Sequence, residues 1–498
     1  MDWFTSLRRP FRNWFLLPSL GVVTLVGVLL LGWQPPAIAN TARHYTELEF
    51  PSLPEIQIPA YERYELPNGL VVYLMEDHEL PLVGGTATFR TGTRFEPANQ
   101  VGLGALMGQS MRLGGTESLP PDQLNQALEQ RAASVETSLD ETAGSASFNT
   151  LTEDLNDVFA IFADVVQRPA FAPDRIDLLK SQYAGGIARR NDDPDAVASR
   201  EFRKLVYGAN SPYARTVEYA TLNNISRDDI LRFYQASIRP EQTILGIVGD
   251  FAPESMKRLI AQYFGSWQAT GNPLNVTQLP PVNQAQTGVF AVNLPQLTQS
   301  SVFVGHLGGQ LDYPEHGSLS VMNEVLNGFG GRLFNEVRSR QGLAYSVYAY
   351  WSPRWDYPGL FIGGGQTRSD ATVPFVQSVK SEINRIRSTP ITEVELARAK
   401  DSVLNSFVFN FQDRVQTLSR LIRYEYYGYP SDFVFRFQRE VENTTIADVQ
   451  TAAQKYLNPD RLVTLVVGNP QAIQPSLEVL SPNQSVTTID ITIPQPGA

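Results

Sequence analysis

Few residue types can assemble a hydrolytic metal centre, and this chain is short of them. Its 498 residues include four histidines and no cysteine. The histidines are His44, His78, His306 and His316, and no two are closer than ten residues. Two imidazoles share a helix face only three or four positions apart, and catalytic zinc takes about three protein ligands. No helix of this chain can therefore present a histidine pair. His78 sits in the polar run Glu76-Asp-His-Glu79, His306 ends the strand-like Val302–His306, His316 follows Pro314-Glu315, and His44 lies near the N-terminus. Each reads as a turn or satisfied polar residue rather than a ligand. The absence of cysteine also excludes disulfides, thiolate catalysis and Cys-based zinc sites.

Two glycine-punctuated segments carry the remaining chemistry. Val101–Thr116 (VGLGALMGQSMRLGGT) follows a strand-like run and a Gly92-Thr-Arg94…Glu96 turn, and Gly328–Val347 reads GFGGRLFNEVRSRQGLAYSV. Both resemble segments of the pitrilysin/insulinase (inverzincin) family of zinc peptidases. The first resembles the segment holding that family's H-x-x-E-H helix, where two histidines bind zinc and the glutamate activates the metal-bound water. Laying Gly102-Leu103 on the family's Gly-Leu puts Ala105, Gly108 and Gln109 where His, Glu and His would stand. The family's third ligand, a Glu on a later helix, falls near Ser181 or Gln182 in Asp174–Arg190, and no acid lies between Leu178 and Arg190. The resemblance thus implies a degenerate zinc site, with no metal and no catalytic residue on this helix.

The second segment resembles the family's second-half signature: a glycine-rich turn (Gly328, Gly330, Gly331), then Arg-Leu-Phe, then Gly-Leu-Ala-Tyr-Ser. The resemblance implies that Arg338 and Tyr345, seven residues apart, hold the substrate backbone and stabilise the oxyanion of the tetrahedral intermediate. A fixed guanidinium and a phenol are suitable donors to a developing negative oxygen.

The elements that must position these residues repeat. Arg239–Asp250 (RPEQTILGIVGD) echoes Asn458–Asn469 (NPDRLVTLVVGN), with Pro240 and Pro459 219 residues apart. The pairs Tyr207-Gly208 and Tyr427-Gly428, like Lys180 and Lys400, are offset by 220. Such coincidences indicate duplication. Each half opens with alternating β-rich sequence (Leu70–Leu74 and Gly84–Arg90; Gly288–Asn293 and Ser300–Gly305) and continues with helical patterns such as Pro121–Ala132 and Phe375–Ser388. Asn68-Gly69 signals a hairpin. The expected fold class is α+β: two homologous domains, each an antiparallel-rich sheet with helices on one face, arranged as a clamshell. The expected domains are 55–267, carrying the degenerate zinc site, and 287–470, carrying the Arg/Tyr motif. A polar, Pro-rich linker covers 268–286 and a C-terminal tail 471–498.

Residues 1–39 read as a targeting segment and 40–54 as an extension. Arg8, Arg9 and Arg12 precede an uncharged apolar run, Phe15–Trp33, and Ala37-Ile38-Ala39 follows. This is the layout of a signal peptide, although the run is long enough to stay as an anchor. Either way the chain is expected to be exported, to the periplasm or another extracytoplasmic compartment, touching membrane only through 15–33 if uncleaved. The formal net charge of −11, with no basic run, gives no reason to expect nucleic acid.

Taken together, the resemblance implies a non-catalytic, substrate-binding and transition-state-stabilising subunit of a heteromeric metallopeptidase. Its expected partners are a zinc-bearing family member and a peptide substrate, with zinc on the partner chain and no cofactor on this one. Peptide cleavage is expected only with an H-x-x-E-H partner. A structural or peptide-binding homologue without chemistry is the alternative, and an active peptidase with unusual ligands a third reading, weakened by a metal helix that carries no ligand.

Overall fold

The sequence repeat becomes a repeat of sheets. A computed structural model of the chain describes residues 57–328, 330–411, 413–482 and 485–494, without the side chain at 408. The targeting segment, the 40–54 extension and His44 lie outside them. Residues Ile56–Ala498 form one compact unit.

The first half contributes β1 (Glu62–Glu65), β2 (Val71–Glu76), β3 (Leu82–Phe89), β4 (Ser134–Leu139), β5 (Gly144–Leu151) and β6 (Thr243–Gly249). Its helices are α1 (Leu103–Leu113), α2 (Pro121–Glu129), α3 (Leu155–Gln167), α4 (Pro173–Arg189), α5 (Pro194–Tyr207), α6 (Tyr219–Asn223), α7 (Arg227–Ser237) and α8 (Pro253–Phe264). The second half contributes β7 (Gly288–Asn293), β8 (Gln299–Leu307), β9 (Ala344–Ser352), β10 (Leu360–Arg368), β11 (Val463–Gly468) and β12 (Thr487–Thr488). Its helices are α9 (His316–Asn327), α10 (Thr372–Ser388), α11 (Glu393–Phe407), α12 (Arg414–Tyr427), α13 (Phe433–Asn443) and α14 (Ile446–Tyr456). Residues 268–286 contain no helix or strand.

Strand order is β1-β2-β6-β3-β5-β4 in one sheet and β12-β7-β11-β8-β10-β9 in the other. The repeated apolar runs are β6 and β11. Each is buried on both faces, parallel to the strand on one side and antiparallel to the strand on the other. The helices before them, α7 and α14, both start with a capping box, Ser226 with Asp229 and Thr445 with Asp448. Lys180 and Lys400 also prove equivalent: their ammonium groups donate to the carbonyls of Ile225 and Thr444, each the residue before that cap.

The two sheets differ in their outermost strand. β1 is a hairpin partner of β2, closed through Asn68-Gly69 with Gly69 at φ 85°, where L-residues are strained. In the second sheet the same place is taken by β12, parallel to β7. The described residues of 471–498, read from composition as a tail, are thus docked on the second half. Ile473 and Leu477 are buried in the second core, and Ile489 and Ile491 pack beside β7. An open sheet edge offers unpaired backbone groups whatever the composition of the segment that meets them.

Each half's own helices cover one face of its sheet, as expected, and the cores lie between them. The opposite faces receive a helix from the other half. α5 lays Val197, Phe202 and Val206 on Phe290, Val292 and Leu465 of the second sheet. α12 lays Leu418, Leu421 and Ile422 on Tyr73, Met75 and Ile244 of the first. These are the helices that end in the repeated Tyr-Gly pairs, so the duplication exchanges like for like. Gly246 makes room for α12: a Cβ there would stand 2.2 Å from Ile422 Cδ1. Between the halves, the buried Arg94 guanidinium pairs with Asp356 at 2.8 Å, and Tyr213 stacks on Tyr357 with centroids 4.2 Å apart.

Candidate functional site

In the first half α1 is anchored through Glu96. Its buried carboxylate accepts the Gly102 and Gly104 N–H groups at 3.1 and 2.9 Å, satisfying donors that the first helical turn leaves open. Burial raises the Glu96 carboxyl above the usual range, against the pull of those two N–H groups. The glutamate of the Gly-Thr-Arg…Glu turn therefore holds the helix in place.

Part of the α1 face that would hold metal is covered by β4. A Cβ at Gly108 would stand 2.5 Å from the Leu139 amide nitrogen, and one at Gly104 2.5 Å from Leu139 Cδ2. Edge strand β4 thus lies against α1 where the family's glutamate would project. Ala105 offers no ligand atom. Gln109 donates its amide N–H to the Tyr183 hydroxyl at 2.9 Å, tying α1 to α4 through side chains. Burial raises the Tyr183 phenol, with the Gln109 bond acting in the opposite sense. Ser181 donates to the Asp177 carbonyl at 2.9 Å, and Gln182 is exposed. These residues do not fit zinc: one position has no room for a side chain, one has no donor atom, and the third turns an N–H inward. Sequence reading missed Tyr183, because a tyrosine beside the expected Ser181 or Gln182 carries no signal of its own. Among the described residues no group of three or more His, Asp or Glu side chains converges.

The histidines of the described residues are engaged elsewhere. His78 lies 2.6 Å from Asp250 at the surface. His306 is buried: its Nε2 accepts the Asn458 N–H at 3.0 Å while Nδ1–H donates to the Leu307 carbonyl at 2.8 Å, which fixes a neutral ring. Burial depresses its pKa to about 4. His316 lies against the rings of Phe433 and Phe437.

The second-half motif is built differently. After α9 the chain turns through Gly328, Gly330 and Gly331. Gly330 has φ 77°, and a Cβ on Gly331 would lie 2.8 Å from the Leu326 and Gly328 carbonyl oxygens. The next residue, Arg332, is buried and pairs with both oxygens of Glu395, at 2.7 and 3.1 Å. Burial alone would raise the Glu395 carboxyl, but Arg332 and the Thr392 hydrogen bonds hold it at about 2. Phe334–Arg340 then forms a π-helical turn. Such turns displace side chains from the usual helical positions and are frequent at functional sites. Glu336 in this turn pairs with Arg340, leaving Arg338 with no carboxylate partner among the described residues. The Arg338 guanidinium lies 4.8 Å from the Phe334 ring centroid and 4.6 Å from that of Tyr345. Tyr345, at the start of edge strand β9, is 82% exposed. The two residues singled out from the motif are thus in contact at the surface, after a turn held by the Arg332–Glu395 ion pair.

Comparison with known proteins agrees with this architecture. The family model described as Insulinase (Peptidase family M16) matches residues 74–215, and that described as Peptidase M16 inactive domain matches 224–403. The Uncharacterized zinc protease YmxG of Bacillus subtilis is 23% identical over 72% of this chain and 86% of its own length. The Non-peptidase homolog YmxG of Helicobacter pylori is 24% identical over 83% of this chain and 95% of its own. Among solved structures, a peptidase M16 inactive domain from Pseudomonas fluorescens superposes with TM-score 0.74 at 23% identity, covering 84% of this chain and all of that one. The periplasmic protease PqqL from Escherichia coli gives 0.70 at 16% identity, covering 91% of this chain and 51% of PqqL. With both halves matched in order, and with Ala, Gly and Gln in the H-x-x-E-H positions, the chain belongs to the insulinase (M16) family and lacks that family's zinc motif.

Proposed function

We propose that this chain is the non-catalytic subunit of a heteromeric M16 metallopeptidase, supplying substrate binding and oxyanion stabilisation to a zinc-bearing partner. The observation that carries the reading is the contrast at Arg338 and Tyr345. Among the described residues no carboxylate engages this guanidinium–phenol pair, yet it is seated on a glycine turn, a buried ion pair and a π-helical turn. Two positively poised donors at a surface suit an anionic oxygen delivered from outside. On this reading the partner brings the metal and its activated water, and Arg338 and Tyr345 meet the tetrahedral intermediate as it forms. The basic and apolar N-terminus with its A-x-A sequence supports export, and the E. coli neighbour described as periplasmic is in keeping with that.

The test is to purify the chain, mix it with an H-x-x-E-H relative from the same cell, and measure both association and peptide cleavage. Association with a rise in cleavage above either chain alone supports the proposal. Cleavage by this chain alone that a chelator stops would sink it. A second reading, peptide binding without chemistry, is favoured by the name of the Helicobacter relative and would show as binding with no gain in cleavage.

A further inference from the structure

Arg338 is held without hydrogen bonds. Among the described residues its guanidinium donates to no oxygen and pairs with no carboxylate. What it touches is two aromatic rings: Phe334, four residues earlier in the π-helical turn, and Tyr345 on β9. Its central carbon lies 4.8 and 4.6 Å from their centroids. The acid in the same turn is engaged elsewhere. Glu336 accepts the Arg340 Nε–H at 2.6 Å on one oxygen and the Gln341 amide N–H at 2.6 Å on the other. Gln341 also donates to the Ser378 hydroxyl of α10 at 2.9 Å. A long arginine side chain left to itself samples many rotamers, and ordering it costs entropy. A carboxylate partner would order it, but would occupy the N–H groups and offset the charge that an oxyanion needs. Ring contacts order it through attraction to the ring's negative face, and leave its fork of five N–H donors for an oxygen acceptor. The Tyr345 ring carries a hydroxyl that can itself donate. Phe334 has no polar atom, so its ring can act only through Arg338.

We infer that Phe334 is a positioning residue. Its ring, together with that of Tyr345, holds the Arg338 guanidinium where an incoming oxyanion meets it and keeps every donor free. The inference rests on the reading of Arg338 as an oxyanion donor to an intermediate on the partner's zinc. It adds that position 334 requires an aromatic face, and not merely an apolar side chain of the right size.

The experiment has two arms. The first uses the chain alone, with its arginines labelled with 13C at Cζ for NMR. A nucleus over a ring face is displaced upfield, so one resonance should lie upfield of the other exposed arginines and vanish in Arg338→Lys. It should move back towards them in Phe334→Leu and keep its place in Phe334→Trp. The second arm mixes each variant with the H-x-x-E-H relative and measures cleavage and association. Phe334→Leu should lower kcat by roughly fivefold to thirtyfold, the worth of one cation–π contact, with KM and association unchanged. Phe334→Trp should retain most of the cleavage, because indole offers a cation the strongest ring face. A side chain that only filled space would give the opposite order, since Leu enters a Phe site more readily than the larger Trp. Phe334→Tyr, which keeps ring and size, takes the place of Phe334→Trp if the latter does not fold. Full activity in Phe334→Leu, an aromatic variant as weak as Phe334→Leu, or an unmoved resonance would overturn the inference. If Arg338→Ala lowers cleavage in the same series, each of those results leaves the partner-subunit proposal standing. Undiminished cleavage in Arg338→Ala defeats that proposal, and the positioning role with it.

Discussion

β4 and β9 occupy the same place in their sheets, yet the sequence around them has gone in opposite directions. Against β4, α1 presents Gly104 and Gly108, which let the two surfaces meet. Beside β9, the preceding turn keeps a costly set of features: three glycines, a buried arginine and a π-helical turn. It leaves Tyr345 82% exposed. A site that has lost its chemistry is free to collapse, because packing gains are then unopposed. A site that must meet another molecule cannot. The difference sets a tightly packed helix face in the first half against an exposed guanidinium–phenol contact in the second.

The most severe way to probe this contrast is to put a side chain back at the collapsed face. Gly108→Glu should cost about 3 kcal/mol or more, since its Cβ alone would overlap the Leu139 backbone and a carboxylate would be buried beside it. Chemical denaturation reads the loss. A variant as stable as wild type would show that the face can reopen. On the other side, Arg332→Ala should cost about 3 kcal/mol, because Glu395 would be left part-buried without its partner. Its denaturation midpoint should fall well below that of Arg338→Ala.

Acid should act on the second half through His306. Its folded pKa of about 4 lies below the ordinary 6.5, so the unfolded chain binds the proton more readily. The neutral-ring contribution is therefore complete above about pH 6.5 and is lost as pH falls towards 4, amounting to about 2–3 kcal/mol. Unfolding free energies at pH 7 and pH 5 measure it together with the like contribution of His316, which burial also lowers to about 4, and His306→Gln should reduce the slope without removing it. Smaller still, Gly186→Ala should raise stability by roughly 0.5–1 kcal/mol, an effect that packing in the chain does not oppose. Smallest, Arg338→Ala and Tyr345→Phe should each move stability by less than about 0.5 kcal/mol, as surface changes do.

Much of this was legible beforehand, and the failures have physical causes. The repeat fixed β6 and β11 and their capped helices because a buried strand bounded by Pro and Gly, preceded by Ser or Thr with Asp three residues on, leaves a local signature. The glycine-rich turn and Arg338 with Tyr345 were visible as a motif; the contact between their side chains was not. The exchange of α5 and α12 was not visible: an amphipathic helix does not state whose sheet it covers. Nor was the docking of 471–498, since a sheet edge is offered by distant strands. The closure of β4 on α1 follows from Gly104 and Gly108, but a sequence cannot say whether two glycines on a helix face a strand or solvent. Tyr183 escaped for the same reason.

The most direct test of the account is cleavage by the mixed subunits, with variants confined to this chain. Wild type, Arg338→Ala and Tyr345→Phe are each combined with the same zinc-bearing relative, and peptide cleavage is measured beside binding of the two chains. Both variants should associate normally and lose cleavage by roughly a hundredfold to a thousandfold, the range for removing an oxyanion donor. Undiminished cleavage with either variant would contradict the account.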